Sequence, residues 1–362
     1  MFNHRRLILG RKRRKMTARA LATAVGVSPI TISRLENGVN EPEEETLAAL
    51  ARVLDFPREF FSAGDFDDLP VQAASFRSLT SMTARERDAA LSAGTIAFLF
   101  NDWIEERFNL PQADVPDLRG DATPEAAAQA VREYWGLGQQ PVPSMVKLLE
   151  AKGIRVFSLC EDTKTVDAFS CWRNTQPFVF LNTFKSTERS RFDAAHELGH
   201  LVMHRHGEQQ DSRQAENEAD QFASHFLMPQ DDVAARIRYV TGLEELIRAK
   251  KRWGVSVAAL TYRLNKMGIV SEWQNRTFNI EISRRGYRTS EPEGLEPECS
   301  VVWPQVLASL WSDRITRDHI AAELHVRTHE LESILFRLVD GTSNARPEER
   351  GRNMKLVSTQ NG

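Results

Sequence analysis

The spacing of apolar residues predicts a chain that is helical at both ends and carries a few short strands near its centre. In residues 1–61 and 303–338, apolar positions recur every three or four residues, which is the period of amphipathic helices. Three runs rich in β-branched and aromatic residues, at 154–159, 168–172 and 178–181, are bounded by turn residues and predict strands. We expect these strands to form a small, mostly antiparallel sheet, so the predicted fold class is α+β.

The same pattern divides the chain into domains. Its 362 residues are enough for two or three domains with sizeable cores. The final residues lack apolar patterning and are predicted to be disordered. The predicted division is an all-α unit at 1–61, a linker at 62–75, an α+β domain at 76–290, a helical region at 291–341 and a tail at 342–362.

A predicted helix directly after the strands carries His196, Glu197 and His200. Residues four apart lie on one face of a helix, so both imidazoles can bind one metal ion. Glu197 between them can reach a water at that ion and accept its proton, which is the arrangement of zinc metallopeptidases. The sequence therefore predicts His196 and His200 as zinc ligands and Glu197 as the catalytic base. The alternative is a helix with two surface histidines.

A second predicted helix, which ends at Pro229, offers carboxylates for a third ligand. Packed antiparallel to the first helix, it can complete the set of two histidines and one glutamate that holds catalytic zinc. We predict Glu218 as this ligand, with Glu216 as the substitute that the spacing leaves open. Asp220 is expected to lie near the site and to orient a ligand imidazole.

These two helices carry a family resemblance. Residues 196–204 read His-Glu-Leu-Gly-His-Leu-Val-Met-His, and residues 216–229 read Glu-Asn-Glu-Ala-Asp-Gln-Phe-Ala-Ser-His-Phe-Leu-Met-Pro. Together they resemble the ImmA/IrrE group of zinc metallopeptidases, and the resemblance extends to residues 76–79, 253–260 and 285–288.

The resemblance implies a zincin-like fold in which His196, His200 and Glu218 hold Zn²⁺ and Glu197 is the catalytic base. Members of the family cleave or displace DNA-binding repressors, often in the control of mobile elements or of stress responses. The resemblance thus implies a regulatory peptidase whose protein substrate is a transcriptional repressor.

The N-terminal unit reads as four short helices, with Thr17 and Ser28 placed as N-caps and Gly26 at the turn between them. Leu-Ala-x-x-Val-Gly-Val-Ser followed by Ile-Ser-Arg-Leu-Glu-Asn-Gly resembles the lambda-repressor-like (XRE) helix-turn-helix. Basic residues crowd the first twenty positions without an acid, which suits contact with phosphates. The helix that follows Ser28 is expected to enter the major groove, with Ile30 in the core. The predicted DNA-contacting residues are Arg11, Arg13, Arg14, Ser28, Thr31 and Arg34.

Overall composition indicates where the protein is expected to act and how it could bind DNA. The formal net charge is −3, so any affinity for duplex DNA has to come from a local surface. Three scattered cysteines without a CxxC pair fit a reducing compartment. No secretory leader is apparent, and the longest apolar run, residues 96–100, is too short to span a bilayer. We therefore expect a soluble cytoplasmic protein that has no membrane partner.

The sequence leaves three alternatives open. The metal site can be structural or sensory in a regulator that hydrolyses nothing, or the chain can sequester a protein partner as an antitoxin does. The N-terminal unit can dock protein, as in a homodimer, instead of binding operator DNA.

Residues 320–334 repeat the apolar spacing of residues 21–35, but Glu330 and Glu332 would repel phosphates. Ordinary helix packing is therefore the prediction for that C-terminal segment.

Overall fold

The structure is a computed structural model that describes residues 1–69, 83–120, 122–159, 168–204 and 212–339. The predicted tail at 342–362 and the family motif at 76–79 lie outside these residues. The strands, in chain order, are β1 Arg155–Ser158, β2 Phe169–Arg173 and β3 Gln176–Leu181. The helices are α1 His4–Arg13, α2 Ala18–Val25, α3 Pro29–Glu36, α4 Glu44–Leu54, α5 Ala84–Glu105, α6 Pro124–Tyr134, α7 Met145–Ala151, α8 Thr187–Met203, α9 Ser212–Leu227, α10 Gln230–Arg236, α11 Leu243–Ala249, α12 Val257–Lys266, α13 Glu272–Arg284, α14 Val302–Ser312, α15 Arg317–Glu323 and α16 Thr328–Leu335. Short 3-10 helices lie at Arg58–Ser62 and Lys250–Arg252.

The N-terminal unit folds as the sequence predicts. The side chain of Thr17 accepts a hydrogen bond from the amide of Ala20, and that of Ser28 accepts one from Thr31. These caps satisfy amide groups that the first turns of α2 and α3 leave without a helical partner. Gly26 ends α2 at φ 82°, a left-handed conformation that glycine adopts without a steric cost.

The three strands form a mixed sheet in the order β1-β3-β2. A tight turn at Asn174, which has φ 54°, joins β2 to β3 as an antiparallel hairpin. β1 pairs with the other side of β3 and runs parallel to it. Half of the pairing is therefore parallel, where the sequence predicted a mostly antiparallel sheet. Apolar composition marks a buried strand but carries no information about its direction.

The described end of the predicted linker is packed against its neighbours. Phe66 and Leu69 are buried. The carboxylate of Asp68 lies 2.8 Å from Arg5 in α1, and that of Asp67 lies 2.7 Å from Arg173 in β2. The core of the N-terminal unit is continuous with α5, with one face of the sheet and with the C-terminal helices. The N-terminal unit is thus held against the rest of the chain.

A second helix-turn-helix lies at the C-terminus. His325, at φ 55°, occupies the turn between α15 and α16 that corresponds to Gly26 between α2 and α3. The backbone amide of Val326 donates to the carbonyl of Ala321 at 2.9 Å, and Val27 repeats this contact with Ala22 at 3.0 Å. The matching buried positions are Leu21, Ala22, Ile32 and Leu35 in the first motif and Ile320, Ala321, Leu331 and Ile334 in the second.

The two motifs present their second helices differently. α3 exposes most of its first turn, whereas α16 packs against α5 and β1. Glu330 near the start of α16 is fully buried and pairs with Arg13 and Arg14 at the end of α1. The C-terminal segment therefore has helix-turn-helix geometry together with the protein packing that the sequence predicted. None of the described helices combines the length and the apolar character needed to cross a membrane.

Candidate metal centre

The site is built where α8 and α9 pack side by side. His196 lies opposite Asp220 and His200 lies opposite Glu216, so the two helices run antiparallel. Gly199 permits their close approach, because a Cβ atom at this position would lie 3.1 Å from the ring of Phe222. The buried stripe of α9 thereby brings its carboxylates to the histidine face of α8.

Three side chains on these helices place potential donor atoms together: His196, His200 and Glu216. The Nε2 atoms of the two histidines are 3.0 Å apart. The Glu216 carboxylate lies 3.3 Å from Nε2 of His196 and 3.4 Å from Nε2 of His200. One donor atom from each residue lies within 4.8 Å of the others, so a single cation between them can contact all three.

The structure differs from the sequence prediction in the carboxylate residue that completes the donor group. Glu218, the predicted ligand, directs its Oε2 to Nε2 of His204 at 3.0 Å and lies outside the three-donor group. Successive residues on a helix are rotated by about 100°, so Glu216 and Asp220 share a face that Glu218 does not. The motif spacing alone left both glutamates open, because it does not fix the rotation of α9 about its axis.

Each histidine of the three-donor group has a hydrogen-bond partner at its Nδ1 atom. Nδ1 of His196 lies 2.9 Å from Oδ1 of Asp220, the residue for which the sequence predicted an orienting contact. Nδ1 of His200 lies 2.9 Å from Nδ1 of His204, the first residue after α8. His204 lies four residues beyond His200, a spacing that places it near the predicted metal face, but the sequence alone does not indicate its partner. The sequence signal for this contact is the presence of a histidine at 204 together with a glutamate at 218.

The carboxylate of Glu197 is held from the sheet side. Glu197 is buried, and its Oε2 accepts a hydrogen bond from Oγ of Ser170 at 2.7 Å. Ser170 lies on β2 and is fully buried. No sequence pattern indicates this contact, since a lone serine in a predicted strand is ordinary. β2 is therefore the element that places a hydrogen-bond donor beside the predicted base.

The predicted DNA-contacting residues fall into two groups. The guanidinium group of Arg11 pairs with Glu36, and those of Arg13 and Arg14 pair with Glu330. These three side chains are therefore engaged within the protein. The other group, on and beside α3, is more open. Ser28 and Arg34 are exposed and Thr31 is partly exposed. Ile30, expected in the core, is 66% exposed, because the first turn of α3 projects from the helical unit.

Two family models match separate parts of the chain. Residues 149–265, which contain all the donors described above, match the family model of the IrrE N-terminal-like domain, and residues 8–61 match a helix-turn-helix family model. The chain joins a metallopeptidase-type domain to a helix-turn-helix DNA-binding domain. A search of curated proteins gives no significant match to the chain.

Electrostatics in the peptidase domain favour a cation between the donors. Burial acts to lower the pKa of His196, but hydrogen bonds to Asp220 and Glu216 outweigh it and raise the value to about 10. Burial acts to raise the pKa of Glu216, but hydrogen bonds from both histidines hold it well below its usual range. His200 differs, because burial lowers its pKa. At His196 and Glu216 the surroundings favour positive charge, and because a proton and a metal ion compete for the same donor atoms, they also favour a metal cation.

The donor chemistry of the peptidase domain fits zinc. Two imidazole nitrogens and one carboxylate are the protein ligands of many catalytic zinc sites, where a fourth position stays open. Asp220 behind His196 supplies the outer contact that such ligands commonly have. The donors also lie within the segment that matches the peptidase family model. The residues present therefore fit the cofactor that the family implies.

Proposed function

We propose that the chain is a DNA-binding regulatory zinc metallopeptidase that hydrolyses a peptide bond in a protein substrate. His196, His200 and Glu216 would hold the zinc ion, and Glu197 is the catalytic base. The observation that carries the proposal is the convergence of these three donors from two helices, with Glu197 adjacent in sequence and held by Ser170.

The residues around the donors would have different roles in hydrolysis. Bound zinc supplies Lewis-acid chemistry, in that it polarises a peptide carbonyl and makes water more acidic. Glu197 accepts a proton from the attacking water and can later deliver it to the leaving amine. Ser170 holds the carboxylate of Glu197 in orientation through Oε2. Asp220 holds the ring of His196 in orientation through Nδ1.

The edge of the sheet supports an extended polypeptide as the substrate. Within the described part of the chain, β2 pairs with β3 on one side only. A segment in extended conformation can add to such an edge through main-chain hydrogen bonds. Because Ser170 lies on β2 and contacts Glu197, this edge adjoins the catalytic base. A peptide bound along β2 would therefore run past the donor group.

The helix-turn-helix domain and the family resemblance support a transcriptional repressor as the substrate, in stress or mobile-element control. The test is to incubate the zinc-loaded protein with the repressor encoded by the neighbouring gene and to follow cleavage by mass spectrometry. Wild type should cleave, and Glu197→Gln should retain zinc but lose cleavage. Glu272→Gln, an exposed change on α13, is the control and should cleave normally. Zinc binding without cleavage of any repressor would favour the non-hydrolytic regulator instead.

A further inference from the structure

The end of α8 carries a side chain that the proposed hydrolysis does not use. The helix ends at Met203, and His204 adopts an extended backbone with φ −117° and ψ 145°. Its imidazole is buried and reaches His200 through Nδ1 at 2.9 Å and Glu218 through Nε2 at 3.0 Å. Oε1 of Glu218 in turn accepts a hydrogen bond from the side-chain amide of Gln214, Nε2, at 2.8 Å. A continuous chain of contacts thus leads from His200 to a carboxylate on α9.

The proton positions on His200 and His204 follow from the arrangement of the three donor residues. Nε2 of His200 faces His196 and Glu216, so it is the atom that would bind the metal. The neutral ring then carries its proton on Nδ1 and donates it to Nδ1 of His204. His204 must accept at that atom, so its own proton lies on Nε2 and is donated to Glu218. Each contact in the chain admits one direction only.

We propose that His204 and Glu218 are positioning residues for the metal centre, acting through His200. They hold the His200 ring in one orientation and one tautomer. The carboxylate of Glu218, acting through the imidazole of His204, also makes His200 a stronger metal ligand. This inference rests on the proposed function, because it needs a metal at Nε2 of His200.

The two ligand histidines would then be supported in parallel from α9. Asp220 reaches His196 directly, whereas Glu218 reaches His200 only through His204. The difference follows from the positions of the two histidines on α8. His200 lies four residues further along α8, opposite the face of α9 that Glu216 occupies as a proposed ligand. With Glu216 committed to the donor group, a second carboxylate reaches His200 through a bridging side chain.

The test measures zinc affinity by chelator competition on the full chain. His204→Leu and Glu218→Ala should each weaken zinc binding by about 10–100-fold, the usual effect of losing an outer hydrogen bond to a ligand histidine. Glu218→Gln keeps an acceptor oxygen and should lose less than Glu218→Ala. Because the side chain of Glu218 is 28% exposed, its replacement is compatible with folding. Glu216→Gln removes a proposed ligand and should bind zinc far more weakly than any of these variants.

A second readout needs no substitution. Nitrogen-15 NMR of histidine-labelled, zinc-loaded wild type should show His204 protonated at Nε2 and His200 protonated at Nδ1. Unchanged zinc affinity in His204→Leu and Glu218→Ala, or His204 protonated at Nδ1, would overturn the positioning role. If wild type binds zinc and Glu216→Gln does not, that result leaves the proposed function intact. Failure of wild type to bind zinc would instead overturn the proposed function itself.

Discussion

Arg13 donates from Nε to the carboxylate of Glu330 at 2.7 Å, across 317 residues of sequence. The contact joins the last turn of α1 in the DNA-binding domain to the first turn of α16 in the C-terminal helix-turn-helix. Glu330 occupies the position in α16 that Thr31 occupies in α3. One motif therefore presents this position towards solvent, while the other buries a carboxylate there against two arginines.

The first prediction concerns the stability that this contact contributes. Glu330→Ala leaves the guanidinium groups of Arg13 and Arg14 largely buried without their carboxylate. Loss of one partner of a buried ion pair typically costs about 3–5 kcal/mol. We expect the free energy of unfolding in urea to fall by an amount of this order. Glu332→Ala, an exposed change two residues away, is the control and should alter it by less than about 0.5 kcal/mol. Equal stabilities for the two variants would contradict the prediction.

The second prediction is the pH dependence of the same contact. Burial acts to raise the pKa of Glu330, but a hydrogen bond with His329 and the charges of Arg13 and Arg14 outweigh it and hold the value well below 4.5. A depressed pKa in the folded state contributes stability that is fully present above the unfolded pKa and is lost as the pH falls through the folded value.

The difference in unfolding free energy between wild type and Glu330→Gln should therefore be constant above about pH 5 and shrink as the pH falls below 4.5. Urea titrations of both proteins at pH 7, 5, 4 and 3 measure it. A difference that widens on acidification would show that the carboxylate is not stabilised in its charged form.

The third prediction concerns DNA binding. Since Arg11, Arg13 and Arg14 are engaged within the protein, we expect the exposed Arg34 to contribute more to the affinity for duplex DNA. If Arg34 contacts a phosphate, Arg34→Ala should weaken binding to all sequences and reduce the salt-dependence slope by about 1. Fluorescence anisotropy over a salt series measures both. Arg276→Ala, an exposed change on α13, should leave both unchanged.

How far the sequence alone predicts this molecule depends on which interaction decides each feature. The helices of the N-terminal unit follow from caps and apolar spacing within a few residues, and the α8 histidines follow from a period of four. Glu216 could not be distinguished from Glu218, because the rotation of α9 is set by its packing against α8 and α6. The apolar side chain of Ile30 predicts burial, but its place in the first turn of α3 exposes it. The buried ion pairs of Glu330 cannot be predicted from local sequence, since its two partners, Arg13 and Arg14, lie at the opposite end of the chain.

The last prediction concerns Ser170, which no sequence pattern marked. Its hydroxyl donates to Oε2 of Glu197 at 2.7 Å in a fully buried setting. A hydrogen bond to a charged group contributes about 1.5–3 kcal/mol, so Ser170→Ala should lower kcat/KM for the repressor by about 10–100-fold if the contact aligns the base.

Zinc content of Ser170→Ala should match that of wild type, because Ser170 contacts the base and none of the three proposed ligands. Ser158→Ala is the matched control. Ser158 is equally buried in β1, on the other side of β3, but its hydroxyl bonds to Thr183 and not to the site. Both variants remove the hydroxyl of a buried serine on the sheet together with its side-chain hydrogen bonding, so both should lose stability. A selective loss of activity in Ser170→Ala would separate alignment of Glu197 from general weakening of the sheet, and equal activity in the two variants would remove Ser170 from the mechanism.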